Sequence, residues 1–218
     1  MPRAIYLLSV SMKEDTIVLP MIRFETIAKD LNLGACDLLM FTSKQAVKSA
    51  EALNPAWKMI PSLAVGAATA KEIEALGGSV LYQPTSFDGQ TLSQEIVEKF
   101  HDKKILYLRP QTVSFDAKTF LHQSGIEIEE QILYKTSCMT YEPSAAPKRN
   151  AIIIFTSPST IDCFFKNFTW NESYTAVVIG KTTQAHLPKN VRCEVSEVAT
   201  IDACIQKAKE VLLTSNSK

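Results

Sequence analysis

The chain lacks the signatures of several common chemistries. It contains no GxGxxG, no GxxxxGK[ST], no GxSxG and no HExxH. Nucleotide cradles, serine hydrolysis and zincin proteolysis therefore lose support. Surplus charge is missing as well: 23 Lys plus Arg balance 23 Asp plus Glu over 218 residues. No global field steers such a protein to nucleic acid or an anionic membrane, so an anionic ligand must be held by local groups. No apolar run approaches the roughly 18 residues of a membrane span. The opening MPRAIYLLSVSMKED has a short apolar run that meets charge without a cleavage site, and it reads as a first strand. The five cysteines (36, 138, 163, 193 and 204) include no CxxC pair, which suits reduced thiols in the cytoplasm. His101, His122 and His186 lack metal-ligand spacing, so no metal site is expected.

What is present is a rhythm. Short apolar stretches, most of them continuous, cover 5–10, 38–41, 62–65, 80–82, 105–108, 128–133, 151–155, 176–179 and 191–195. Unbroken apolar character implies strands covered on both faces, hence parallel sheets between helices. Helix-like segments fall between them at 44–53, 69–76, 91–100, 113–123, 159–167 and 201–213, with glycine stops at LGG (76–78) and SG (124–125). The expected class is α/β.

The chain also repeats itself. Phe41-Thr42-Ser43 recurs 114 residues later as Phe155-Thr156-Ser157, and the same shift puts Gly66 on Gly180, Thr69 on Thr183 and Asp88 on Asp202. Three motifs in one register argue for two similar units. The second unit has no late strand matching ILYLRP (105–110), and the N-terminal AIYLLSV is the spare strand for that place. One domain is therefore expected at 1–18 plus 144–218, with the other, 28–133, inserted into it. The spans 19–27 and 134–143 read as extended linkers, with Pro20 and Pro143 in or near them. The expected architecture is two parallel-sheet domains, one inserted in the other, joined by a two-stranded β hinge with a cleft between them. Only SMKED separates the first strand from its linker, too short for a crossover helix, so domain one is expected to lack one.

The carboxyl ends of strands in open α/β sheets face a binding crevice, where helix N-termini present free N–H groups. Thr42, Ser43, Thr156 and Ser157 stand at such places, and they are equally the preferred residues for capping a helix. Gly66 and Gly180 precede Thr69, Thr182 and Thr183, whose hydroxyls would stand beside exposed amides. Arg109 ends its strand as the best single cation, with Lys44 and Lys181 near two other helix starts. Tyr134, where a strand meets its linker, stays protonated at neutral pH and can donate a proton. Asp88 and Asp202 read as helix N-caps.

At these residues the chain resembles the uroporphyrinogen-III synthase family, through FTSKQAV (41–47), AVGAATA (64–70), ILYLRP (105–110), ILYKT (132–136), FTSPST (155–160) and IGKTTQA (179–185). Gln45 and Lys181 stand where relatives often carry Arg and Pro. The resemblance implies two flavodoxin-like domains joined by a β-ladder, no cofactor, and the closure of linear hydroxymethylbilane with inversion of ring D and loss of water. It implies substrate contacts at Ser43, Thr69, Ser157 and Thr183, and Tyr134 as a candidate acid. It also implies a cytoplasmic monomer meeting the preceding pathway enzyme transiently, with no nucleic-acid or membrane partner. The competing class is a non-catalytic two-domain module that closes on a small polyanion, which would show the same paired strand ends.

Overall fold

The computed structural model describes residues 3–84, 86 and 88–215. Its strands are β1 (Ile5–Leu7), β2 (Ile17–Val18), β3 (Ile22–Thr26), β4 (Leu38–Phe41), β5 (Ser62–Ala64), β6 (Val80–Tyr82), β7 (Ile105–Pro110), β8 (Ile128–Cys138), β9 (Ile152–Phe155), β10 (Thr175–Val178) and β11 (Cys193–Val195). Its α-helices are α1 (Lys44–Leu53), α2 (Ala67–Ala75), α3 (Gly89–Lys99), α4 (Ala117–Gln123), α5 (Pro158–Asn167), α6 (Lys181–Gln184) and α7 (Ile201–Ser215). The chain divides into two compact units, an inserted one over Phe24–Thr136 and an outer one that ends at Arg23 and resumes at Ser137.

The inserted unit carries the sheet order β3-β8-β7-β4-β5-β6. β4, β5, β6, β7 and β8 pair in parallel. Leu39, Phe41, Leu106 and Leu108 pack with Trp57, Val47 and Ile73 on one face, while Leu38, Met40 and Tyr107 pack with Leu92, Ile96 and Leu121 on the other. Alternate side chains of the same strands thus enter different cores, as the pleat requires. Both faces are covered, which is why these strands show no polar alternation. α1 and α4 follow the neighbouring strands β4 and β7, and the chain leaves β4 toward β5 but returns to add β7 on its other side. That reversal of winding is a topological switch point, where open α/β sheets bind ligands.

The outer unit has the order β11-β10-β9-β1-β2, with every pairing parallel. β9, β10 and β11 correspond to β4, β5 and β6, and β1 lies against β9 as β7 lies against β4. The N-terminal strand therefore fills the place that the repeat left open. The correspondence holds to the residue: Met40 faces Tyr107 in one sheet, and Ile154, 114 positions after Met40, faces Leu7 in the other. No helix joins β1 to β2; a short irregular segment makes the crossover where the inserted unit uses α4.

Element ends follow local chemistry. Gly77 at φ 88° and Gly125 at φ 82° take the left-handed conformation that closes α2 and α4. α4 starts later than its apolar pattern suggests because the Asp116 carboxylate accepts from Thr119 N–H at 3.0 Å and Oγ1 at 2.7 Å, capping the helix there. Asp88 caps α3 as expected, but Asp202 does not cap α7. The Thr200 hydroxyl accepts from Ala203 N–H, and Asp202 sits inside the first turn, paired with Lys13 at 2.6 Å. Phe87, between Ser86 and Asp88, lies outside the described residues. The spans read as linkers contain β3 and the last residues of β8.

The cysteines depart from expectation. Cys138 at the end of β8 is bonded to Cys163 on α5, while Cys36, Cys193 and Cys204 are free. The two partners are 25 residues apart in sequence, beyond the reach of any local motif, and only packing of the β8 end against α5 brings them together. Burial pushes the free Cys193 thiol up to about 11, leaving it unreactive at neutral pH.

Two outcomes follow from this packing. Thiol titration of the denatured protein without reductant should count three reactive cysteines, and with reductant all five; five in both would show the pair to be reduced. A Cβ at Gly78 would stand 2.5 Å from the buried Trp57 ring, so Gly78→Ala should destabilise the inserted unit. Overpacking of this kind costs about 1–3 kcal/mol in denaturant unfolding, and an unchanged midpoint would show that the indole can move aside.

Candidate functional site

The strand-end residues of each unit form a separate set. In the inserted unit they stand at the switch point. Ser43 is the N-cap of α1: its backbone is extended, and its Oγ accepts from Ala46 N–H at 3.1 Å. The same Oγ lies 2.8 Å from the Tyr134 hydroxyl. The neighbouring Thr42 Oγ1 lies 3.0 Å from the Tyr107 hydroxyl. Both tyrosines are buried, at 3% exposure for Tyr107 and 4% for Tyr134. Burial raises both phenols above their ordinary range, and the hydroxyl beside each pulls back only in part. Both therefore stay protonated through neutral pH.

Arg109 is held differently from the free cation expected of it. Its Nε and Nη2 donate to the two oxygens of Glu130 at 2.8 and 3.0 Å, and Nη1 donates to the carbonyls of Pro110 and Gln111. Hydrogen bonding to Glu130 raises its pKa. A fork occupied by one carboxylate has little left for another. Lys44, the first residue of α1, is exposed.

Thr69 is in the first turn of α2 and Thr183 in the four-residue α6, at matching places in the two units. They are only 4% and 3% exposed, and among the described residues neither hydroxyl has a hydrogen-bond partner. Among those residues the fully enclosed side-chain oxygen without a partner is Ser62 Oγ, so the two threonine oxygens keep an opening to solvent. A hydroxyl in a nearly buried residue that no protein group satisfies is placed to meet a ligand. Its occurrence at equivalent positions makes both threonines candidates for that role. The glycine before α6 is not demanded by the protein itself. Gly180 has ordinary extended backbone at φ 179°, and a Cβ there would meet nothing within 4 Å.

In the outer unit Ser157 caps α5 in a capping box: its Oγ accepts from Thr160 N–H at 3.4 Å, and Thr160 Oγ1 accepts from Ser157 N–H at 3.3 Å. Such caps contribute about 1 kcal/mol. Thr156 is half-buried, and Lys181 and Thr182 are exposed. Of the residues expected from the sequence, Thr42, Ser43 and Tyr134 are brought together in the inserted unit. Tyr107 and Glu130 were not expected. Tyr107 sits inside an apolar run and reads as core, and Glu130 gains its meaning only from the β7–β8 pairing. Among the described residues no cluster of His, Cys, Asp and Glu could hold a metal ion.

Comparison with known proteins identifies the family. A family described as "Uroporphyrinogen-III synthase HemD" matches residues 12–206. A protein of Ruminiclostridium josui, "Porphyrin biosynthesis protein HemD", is 33% identical over 157 residues, covering 67% of this chain and 31% of that protein. The chain thus spans about a third of that relative's length. A crystal structure of uroporphyrinogen-III synthetase from Helicobacter pylori superposes with a TM-score of 0.81 at 26% identity, covering 96% of this chain and 99% of the other. A mutant uroporphyrinogen III synthase from the extreme thermophile Thermus thermophilus shares the fold, with a TM-score of 0.60 at 12% identity and coverage of 97% and 99%. The chain belongs to the uroporphyrinogen-III synthase (HemD) family.

Proposed function

We propose that the protein is a uroporphyrinogen-III synthase, which closes hydroxymethylbilane to uroporphyrinogen III with inversion of ring D and loss of water. The observation that carries this reading is the family match over 12–206 on a chain whose matched strand ends offer two nearly buried threonines with unpartnered hydroxyls. The terminal hydroxymethyl group takes up a proton and leaves as water, while electrons from the pyrrole nitrogen generate an azafulvene. The substituted carbon of ring D attacks this electrophile to give a spiro intermediate, which rearranges to the inverted macrocycle. The linear substrate closes unaided to the unrearranged isomer. The protein's task is therefore to hold one conformation and exclude another, which is catalysis by orientation.

Neutral donors suit that task. Thr42, Ser43, Thr69, Thr156, Ser157, Thr182 and Thr183 would grip acetate and propionate carboxylates, with Lys44 and Lys181 supplying exposed charge. Tyr134 is the candidate acid, its proton passing through the Ser43 hydroxyl 2.8 Å away. Arg109, occupied by Glu130, fits a role in shaping the β7 end better than a direct grip. No metal or cofactor enters this scheme. The working unit would be a monomer that receives its substrate from the preceding enzyme. A cytoplasmic setting accords with the biosynthetic relatives, and the Cys138–Cys163 bond is the observation that weighs against it.

The test is to supply hydroxymethylbilane, oxidise the products and separate the type I and type III isomers, with and without EDTA. Type III should dominate in both. A mixture no richer in III than the enzyme-free control would end the proposal and favour a non-catalytic binder. Activity lost to EDTA and restored by a divalent cation would reveal a metal requirement.

Single hydroxyl deletions should weaken the reaction without stopping it. Thr69→Ala or Thr183→Ala removes a hydrogen bond to a charged group, worth about 1.5–3 kcal/mol. That converts to roughly a tenfold to hundredfold loss in kcat/KM, toward the lower end because other donors remain. Tyr134→Phe should cost less than about a hundredfold, the lower bound for a sole essential acid, with III still the main product. A folded single variant that forms no III would overturn the shared grip.

A further inference from the structure

Tyr134 is not the only tyrosine that reaches the FTS turn. Tyr107, on β7, makes its bond to Thr42 from the opposite face of the sheet: Tyr107 packs with Leu38 and Met40, whereas Tyr134 packs with Leu39 and Phe41. Two consecutive hydroxyls at one strand end are thus each tied to a buried phenol, one from above the sheet and one from below.

The direction of the Thr42–Tyr107 bond follows from counting hydrogens. Each hydroxyl has one hydrogen to give and can accept. Among the described residues Thr42 is the one hydrogen-bond partner of the Tyr107 hydroxyl, and Tyr107 as a whole is 3% exposed. If Thr42 donated, the phenolic hydrogen of this nearly buried residue would have no protein acceptor, which costs free energy. Tyr107 therefore donates. Thr42, half-buried at the strand end, accepts with Oγ1, and its own hydrogen is turned away from Tyr107.

The second unit is an internal control. The same register that opposes Met40 to Tyr107 opposes Ile154 to Leu7, so the equivalent FTS turn has no such tyrosine. Among the described residues the Thr156 hydroxyl has no hydrogen-bond partner. An equivalent sheet, with the same strand order and an identical FTS turn, is built without the phenol. Tyr107 is consequently not a requirement of the architecture.

We propose that Tyr107 is a positioning residue for the cyclisation, which commits the Thr42 hydroxyl to act as a hydrogen-bond donor toward a substrate carboxylate. It does not touch substrate. Its effect is to remove the rotamers in which Thr42 would present a lone pair to an anion. The inference rests on the proposed synthase activity.

The experiment compares wild type, Tyr107→Phe, Thr42→Val and the double variant, measuring KM and kcat for hydroxymethylbilane, the III to I ratio and the melting temperature. Tyr107→Phe keeps the ring that fills the core and removes only the hydroxyl. Thr42→Val alters the strand end alone and supplies an independent reading if the core variant folds poorly. Each single variant should raise KM by about threefold to tenfold, the effect of losing one oriented hydrogen bond, with kcat changed less. The double variant should be no worse than Thr42→Val, because the pair delivers one donor between them. A lower melting temperature with unchanged KM would show a purely structural phenol and overturn the inference. Losses that multiply in the double variant would overturn it too. A wild type that forms no excess of type III sinks the functional reading itself; an active wild type with an unaffected Tyr107→Phe sinks only the positioning role.

Discussion

A helix that starts where a parallel strand stops leaves its first N–H groups without partners, and something at the junction must accept from them. In this protein the acceptor is repeatedly a side-chain hydroxyl or carboxylate at a strand end or in the loop after it: Ser43 for α1, Ser157 for α5, Asp88 for α3, Asp116 for α4. A hydroxyl differs from a carboxylate in what remains after capping. Asp88 and Asp116 are acceptors only and repel an anion. Ser43 accepts from Ala46 and still has a hydrogen to give. Ser43 and Ser157 become candidate binding residues through that one constraint, since the serine junctions keep a donor after satisfying the helix. Structural and functional readings of the FTS motif are therefore not rivals. The cap holds the hydroxyl still, and a hydroxyl held still is a better ligand group than a free one.

The two units share this device but furnish it differently. In the inserted unit each hydroxyl of the turn is backed by a buried tyrosine, whereas the outer unit has Leu7 opposite β9 and a capping box that turns Ser157 toward its own helix. The missing crossover helix between β1 and β2 belongs to the same asymmetry. A ligand with chemically distinct ends would suit such inequality, and hydroxymethylbilane, the proposed substrate, is of that kind.

Arginine, the residue a sequence reader trusts most for an anion, shows how tertiary context redirects chemistry. Arg109 ends β7 beside the switch point, yet β8 lies next to it in the sheet and supplies Glu130, which takes both arms of the guanidinium. The pair is partly buried and charge-balanced, so it shapes the strand end and removes a positive charge that the unassisted sequence placed there. The grip proposed above therefore relies mainly on neutral hydroxyls, with the exposed Lys44 and Lys181 as its cations.

Much of this architecture was legible without coordinates. Continuous apolar runs such as IIIF require two-sided burial, hence parallel strands between helices, and the recurrence of FTS, G-x-x-T and a short spacing after AIYLLSV was enough to assign the N-terminal strand to the later unit and to foresee its missing helix. Periodicity and capping act over a few residues, and so can be read from a line of letters. The rest depended on distance in space. The disulfide between Cys138 and Cys163, the occupation of Arg109 by Glu130, and the Tyr107–Thr42 bond join residues 21 to 65 positions apart, through pairing and packing that no local pattern encodes. The sequence by itself determined which strand ends would carry hydroxyls, because a helix start demands a cap. Only the tertiary structure decided which of those hydroxyls have a hydrogen left to donate, because that depends on what each one touches.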